Sequence, residues 1–386
     1  MDKFVVESNR AWIDATWEKI DKKMSRMAIK SRDIIPYTTV DGKHNDMVKK
    51  DLSFWTNGFY GGAMWILYLM TKNEEYKACA IRQQELVEGA FNLYGDIHHD
   101  VGFMFHLTCG ANYRITGDPA SRIKNLYAAS FLSSRYNIDG KFITAWNVNE
   151  VDGPVARWSI IDCLMNIPLL YWASKETKVD RFKRVAMSHA DMAIRDHIRP
   201  DGSVNHIVEH EIDCEGVVKV HAGQGYAPES CWSRGLAWAV YGSILSYIHT
   251  GKQEYLDAAK RTANFFISNA AVTGYKTVID FMAPKEPVYY DSTAGVITAS
   301  GLLEIAKYVS ESEARMYTEA AINLLRATDE HFADYSEEQD ALVLMGSERY
   351  PTKESYMKTV HIPIVYGDYY YIEAIAKLKG LDFLMW

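Results

Sequence analysis

The stretch TKVDRFKRVAMSHADMAI, residues 177–194, carries the fold in miniature. A Thr-Lys turn signal opens it and an aromatic follows at Phe182. Apolar residues then recur three and four apart with charges opposite, the pattern of an amphipathic surface helix. Four other stretches repeat it: TKNEEYKACA (71–80), TGDPASRIKNLYAASFL (116–132), TGKQEYLDAAKRTANFFI (250–267) and SESEARMYTEAAINLL (310–325). Each follows a more apolar helix, predicted over 58–70, 101–115, 158–174, 231–249 and 292–309, and YGDYYYIEAIAKL from Tyr366 adds one more. With a helix near 4–28, the number approaches twelve. Apolar helices alternating with amphipathic ones predict an inner and an outer ring, an all-α (α/α)6 barrel of six helical hairpins forming a single domain over 1–386. The competing arrangement is an open solenoid. Solenoid repeats keep a fixed period, whereas Thr116 to Thr177 is 61 residues and Thr177 to Thr250 is 73.

The composition narrows the partners. The 386 residues carry a formal net charge of −8 without long blocks of one sign, which argues against nucleic acid and anionic membranes. Ten Trp and 25 Tyr exceed what packing alone needs, and both side chains suit flat sugar faces. Five Cys with no Cys-x-x-Cys pair imply neither a disulfide framework nor a zinc ribbon. The charged N-terminal stretch lacks a signal-peptide core, and no apolar run reaches membrane-spanning length. A cytoplasmic enzyme is the expectation, with no obligate protein partner.

Function is expected in the long connections 135–157, 198–230 and 332–365. The middle one alternates polar and apolar residues around glycines, which admits a short β-hairpin. The first chemical candidate is Asp162, in the otherwise apolar WSIIDCLMNIPLLYW. Burial there disfavours the charged form and raises the pKa, as a general acid requires. Asn166 lies four residues on, and a structural Asp bonded to it is an equal reading. Pro168 should kink the helix. Asp100, in DIHHDVGF, is either a second carboxyl or a helix N-cap. His98, His99 and Asp100 are consecutive, so their side chains are expected to diverge, and His206 and His210 lie in a strand-like segment. No metal site is assigned. Arg234 and Trp238 share a helix face in CWSRGLAW, where a guanidinium can stack on indole or clamp a carboxylate. Trp55 and Trp146 are further aromatic candidates. Asp291 reads as an N-cap without chemistry, and Asp368 as a cap.

Together these segments resemble the unsaturated glucuronyl hydrolases, glycoside hydrolase family 88. The resemblance runs in order through IIPYTTVDGKH, FWTNGFYGGAMW, HHDVGF, AWNV, WSIIDCLMNIPLLYWAS, DGSVNH, GQGYAPESCWSRGLAWAVYG, DSTAGVITASGLLEIA and YGDYYYIEAI. It implies the (α/α)6 barrel, no cofactor, an acid/base role for Asp162 and a supporting one for Asp100. It implies sugar contacts for Trp55, His99, Trp146, His206, Gln224, Trp232, Arg234 and Trp238. The segment 346–361, GSERYPTKESYMKTVH, departs from the pattern. Within it Tyr356 and Lys358 are candidate partners for the second sugar, leaving sulfated against plain disaccharides open. The implied reaction releases a 4,5-unsaturated glucuronic acid from the non-reducing end of a small lyase-generated oligosaccharide, with glycosaminoglycan disaccharides such as those of chondroitin or hyaluronan foremost. Alternatives are an unsaturated rhamnogalacturonyl hydrolase, an inverting glycosidase with carboxyls roughly 6.5–9.5 Å apart, and a non-catalytic sugar-binding barrel.

Overall fold

The hairpin turns explain the repeat. In the computed structural model, which describes residues 1–147, 155–352, 355 and 358–386, a threonine closes four of the apolar helices. Thr71, Thr116, Thr177 and Thr250 donate their hydroxyls to the carbonyls of Leu67, Asn112, Ala173 and Ser246 at 2.7–2.8 Å. The same oxygens accept the N–H groups two residues on at 3.2–3.3 Å. One left-handed residue lies between: Lys72, Gly117, Lys178 or Gly251. That conformation ends a helix and reverses the chain. The next helix starts on a side-chain cap at Asn73 and Asp118 and on a capping box at Ser310–Glu313, whereas those that start after Val179 and Lys252 have no side-chain cap.

Numbered in chain order, the barrel helices among the described residues are α1 (Arg10–Lys30), α2 (Phe59–Thr71), α3 (Glu74–Val87), α4 (π-helical Gly102–Gly110 running into Ala111–Thr116) and α5 (Pro119–Ser134). There follow α6 (Cys163–Asn166 and Pro168–Thr177), α7 (Asp180–Asp196), α8 (Ser233–Thr250) and α9 (Gln253–Val272). The last three are α10 (Ser292–Ile305), α11 (Glu311–His331) and α12 (Val365–Leu378). Even-numbered helices form the inner ring. Each packs on the next, and α12 returns to α2, so the ring closes. Every residue of α10 and α12 is buried, as expected for helices covered on both sides. The (α/α)6 barrel read from the repeat is the architecture found. Among the described residues, no helix is long and apolar enough to cross a membrane.

Aromatic side chains fill the axis. Phe59, Phe103, Trp238, Tyr369, Tyr370 and Trp386 pack edge to face, tilted or stacked, with Trp386 and Tyr370 6° from parallel. One segment departs from the expected helix over 158–174. Trp158–Ile160 is a strand, β1, and the helix starts only at Cys163. The hairpin foreseen in 198–230 is present as β2 (Ile207–His210) and β3 (Val217–His221). β1 adds to it antiparallel, Trp158 facing Glu209 and Ile160 facing Ile207. Pairing with the hairpin overrides the helical pattern. Pro168 opens the second part of α6, immediately after the break at Ile167. Asp368 does not cap its own helix. Its carboxylate accepts the N–H groups of Leu342 and Val343 at 3.0 and 2.7 Å and pins the 332–365 connection.

Candidate active site

The inner helices present their N-termini to one mouth of the barrel, where their partial positive charge suits an anionic ligand. Asp162 occupies the turn between β1 and α6, not the interior of a helix. Its side chain is 16% exposed, and Oδ1 makes no hydrogen bond among the described residues. Burial pushes its pKa up to about 7, against the opposing pull of Arg234 and of the backbone N–H groups at the start of α6. His99 is wholly buried beside it. His99 Nε2 lies 3.7 Å from Asp162 Oδ1 and 3.5 Å from Asp100 Oδ2. Desolvation holds this imidazole neutral, well below its ordinary pKa.

Asp100 is not a helix cap. Its Oδ1 accepts Nδ2–H of Asn166 at 2.8 Å, and Asn166 Oδ1 in turn accepts the N–H of Phe103 at 2.9 Å. Asn166 thus serves Asp100 through its side chain, and only its weak 3.4 Å contact reaches the Asp162 carbonyl. The consecutive trio does not diverge, contrary to the expectation. His98 Nδ1 stands 3.4 Å from Asp100 Oδ2, and one ligand-capable atom from each of His98, His99 and Asp100 falls within 4.8 Å of the others. The chain turns sharply into α4 here, which folds neighbours in sequence toward one point.

This arrangement depends on Gly102. A Cβ there would fall 2.6 Å from Asn166 Cα and 2.7 Å from its carbonyl oxygen. Gly102→Ala is therefore expected to push α4 from α6, cost about 1–3 kcal/mol of stability and lower kcat on the order of tenfold through the displaced Asp100. Denaturant unfolding and steady-state kinetics check it, and a variant with unchanged kcat would contradict this account of the Asn166 tie.

The aromatic candidates divide. Trp55 is half-buried and stacks on Tyr366 at 5.2 Å. Trp146, also half-buried, meets Trp158 edge to face at 5.9 Å. Trp232 packs on His206 at 4.3 Å, and burial lowers the pKa of His206 to about 3. Trp238 is 1% exposed and belongs to the axial aromatic core beneath the site. Lys358 is exposed, and Tyr356 lies outside the described residues.

Arg234, expected as a substrate clamp, lines the mouth and already holds protein partners. Its Nη1 donates to Asp291 Oδ2 and to the Ser347 carbonyl, both at 2.6 Å, and Nη2 to the Glu348 carbonyl at 2.6 Å. Its guanidinium lies over Trp232 at 4.4 Å and Tyr366 at 5.3 Å. Asp291, read as a cap without chemistry, does cap α10 through the N–H of Thr293, and it is also the counter-ion of Arg234. Two cavities open at the mouth. One of about 300 Å³ is lined by Trp55, Gln224, Arg234, Glu348, Arg349 and Tyr366 among others. The second, of about 560 Å³, holds Trp146, Trp158, His221, Gln224 and Arg349. Sequence reasoning passed over Glu348 and Arg349, which lie in the segment without a secure pattern.

Proton transfer to a flat, polar ligand is the chemistry this mouth offers, and with this barrel it defines a glycoside hydrolase. No family model matches the chain. It is 33% identical over 340 residues to an unsaturated glucuronyl hydrolase of Bacillus sp. (strain GL1), covering 87% of this chain and 89% of that protein. It is 31% identical over 344 residues to an unsaturated chondroitin disaccharide hydrolase of Streptococcus pneumoniae, covering 85% and 82%. The crystal structure of the Bacillus sp. GL1 enzyme, responsible for glycosaminoglycan degradation, superposes with a TM-score of 0.87 over 96% of this chain and 97% of that one, at 31% identity. This chain belongs to the unsaturated glucuronyl hydrolase family.

Proposed function

We propose that the protein acts as one catalytic domain that releases 4,5-unsaturated glucuronic acid from small lyase-generated oligosaccharides, glycosaminoglycan disaccharides foremost. The observation that carries the reading is Asp162, a carboxyl held near neutrality by burial and set beside His99 and Asp100. A 4,5-unsaturated uronide is an enol ether conjugated to a carboxylate, so its reaction starts with a proton. Asp162 gives that proton to C4. Water adds at C5, losing its proton to the now ionised Asp162. The hemiketal so formed opens to a C5 ketone and a C1 hemiacetal, which collapses to the aldehyde as the C1–O bond to the leaving sugar breaks and the hemiacetal proton passes to the departing oxygen. Asp100, held by Asn166, favours the protonated state of Asp162 by like charge. Trp55, Trp146 and Trp232 flank the flattened ring, while Gln224 and His206 supply polar contacts. Cysteine usage supports a cytoplasmic location, since all five thiols are free and four are buried.

The test follows the ultraviolet absorbance of the conjugated double bond with unsaturated chondroitin and hyaluronan disaccharides. Loss of absorbance with release of free amino sugar is expected. Persistent absorbance on every unsaturated uronide would refute the reading. The pH profile gives a second expectation. The acid must be protonated, so kcat/KM should fall above about pH 7, approaching tenfold per pH unit. A profile flat to pH 9 would assign the proton elsewhere.

A further inference from the structure

The strand that delivers Asp162, β1, is three residues long. On its front face Trp158 and Ile160 pack with Ile207 and Trp146, and Trp158, Ile207 and Trp146 wall the second cavity. A cavity gives that face little backing. Side chains alternate along a strand, so Ser159 points to the back of the sheet, toward α7. There its hydroxyl is wholly buried between two imidazoles. Ser159 Oγ lies 2.7 Å from Nε2 of His210, on β2, and 2.7 Å from Nε2 of His197, at the end of α7. Phe142 stacks on the His210 ring at 4.6 Å.

The partners dictate where the protons sit. Burial lowers the pKa of both imidazoles to about 4, so each ring is neutral and carries one proton. His197 Nδ1 faces the Asn205 carbonyl at 2.9 Å. A carbonyl can only accept, so Nδ1 holds the proton and Nε2 is bare. That bare nitrogen accepts the Ser159 hydroxyl. Ser159 Oγ is then left as an acceptor, and His210 donates to it from Nε2. The bare atom of His210 is Nδ1, which has no hydrogen-bond partner among the described residues. It stands 3.6 Å from Asp196 Oδ2, in a carboxylate already held by Arg195 at 2.7 Å. The bonds from His210 through Ser159 and His197 to Asn205 therefore all run one way.

Resting on the hydrolase reading above, we propose that Ser159, clasped between His197 and His210, is a positioning residue for the acid Asp162. From Ser159 the chain passes Ile160 and then Ile161, whose N–H donates to the His206 carbonyl at 3.2 Å, before it reaches Asp162. Both strands lead from the clasp to the mouth: β1 ends beside Asp162 and β2 begins beside His206. With a cavity in front of the strand, the clasp behind it fixes how deep Asp162 sits. That depth sets the burial which keeps the carboxyl protonated.

Kinetics on unsaturated disaccharides and nitrogen NMR of the imidazoles test it together. Ser159→Ala is expected to lower kcat about tenfold with KM within about twofold, since the acid shifts and the groups around the ring stay. The basic limb of kcat/KM should descend from about pH 7 by about one pH unit, because a looser Asp162 meets more water. His210→Gln sets an amide N–H where the imidazole donated and should keep kcat within about twofold of the wild type, whereas His210→Leu should behave like Ser159→Ala. In the wild-type protein, NMR should find His197 protonated at Nδ1 and His210 at Nε2, a result that requires no variant to fold. The other tautomer at His210, an unmoved basic limb in Ser159→Ala, or equal losses in His210→Gln and His210→Leu would overturn this inference alone. A wild type that consumes no unsaturated disaccharide would overturn it together with the hydrolase reading.

Discussion

Asp162→Asn is expected to fold normally and to lose at least about 10³-fold in kcat, within the range for removal of a positioned general acid. The amide keeps the shape of the carboxyl but has no proton to give to C4 and no charge to take one from water. KM should change little, since the groups placed around the ring remain. Stability separates this outcome from simple damage. Burial raises the Asp162 pKa from 3.8 to about 7 in the folded protein. The stability associated with its protonated form is thus complete below about pH 4 and is lost as pH rises through about 7. Asparagine never ionises, so the variant should gain on the wild type as pH rises, on the order of a few kcal/mol by pH 8. Thermal unfolding at pH 5 and pH 8 measures that difference. Near-normal turnover in the variant, or a melting temperature that drops equally at both pH values, would remove Asp162 from the role proposed for it.

The sequence made the barrel legible because its signal is local and repeated. Each Thr-(Gly/Lys) turn is a helix C-terminus whose hydroxyl serves both flanking backbones, and each amphipathic stretch after it needs an apolar partner. Asp162 was legible for a similar reason, as an acid in apolar surroundings. Its exact seat was not, because Trp158–Ile160 becomes a strand only by pairing with residues some fifty positions away. The convergence of His98, His99 and Asp100 depends on one backbone turn that periodicity does not encode. Trp238 looked like a ligand contact through its spacing from Arg234, but spacing on a helix does not say whether the shared face meets the cavity or the barrel axis. The double duty of Asp291 and the position of Arg349 rest on contacts between α8, α10 and the 332–365 connection. No single stretch of sequence contains those contacts.

Arg234→Met is expected to lower stability by about 3–5 kcal/mol, because it strands a buried charge rather than merely removing a contact. Asp291 is fully buried, and its other partners are the backbone and hydroxyl of Thr293 and the N–H of Ser347 at 3.3 Å. These ease the carboxylate but do not neutralise it. The same substitution frees the carbonyls of Ser347 and Glu348, so the backbone that carries Arg349 should loosen as well. A guanidinium serving only the substrate would behave otherwise: its loss would raise KM and leave unfolding untouched. Urea unfolding of Arg234→Met, Asp291→Asn and the double variant distinguishes the two. Coupling through the ion pair requires the double variant to cost less than the two singles together, since the second substitution removes a charge already left without its partner. Strict additivity would mean that Arg234 and Asp291 act separately. Arg234 would then return to the role of a substrate clamp.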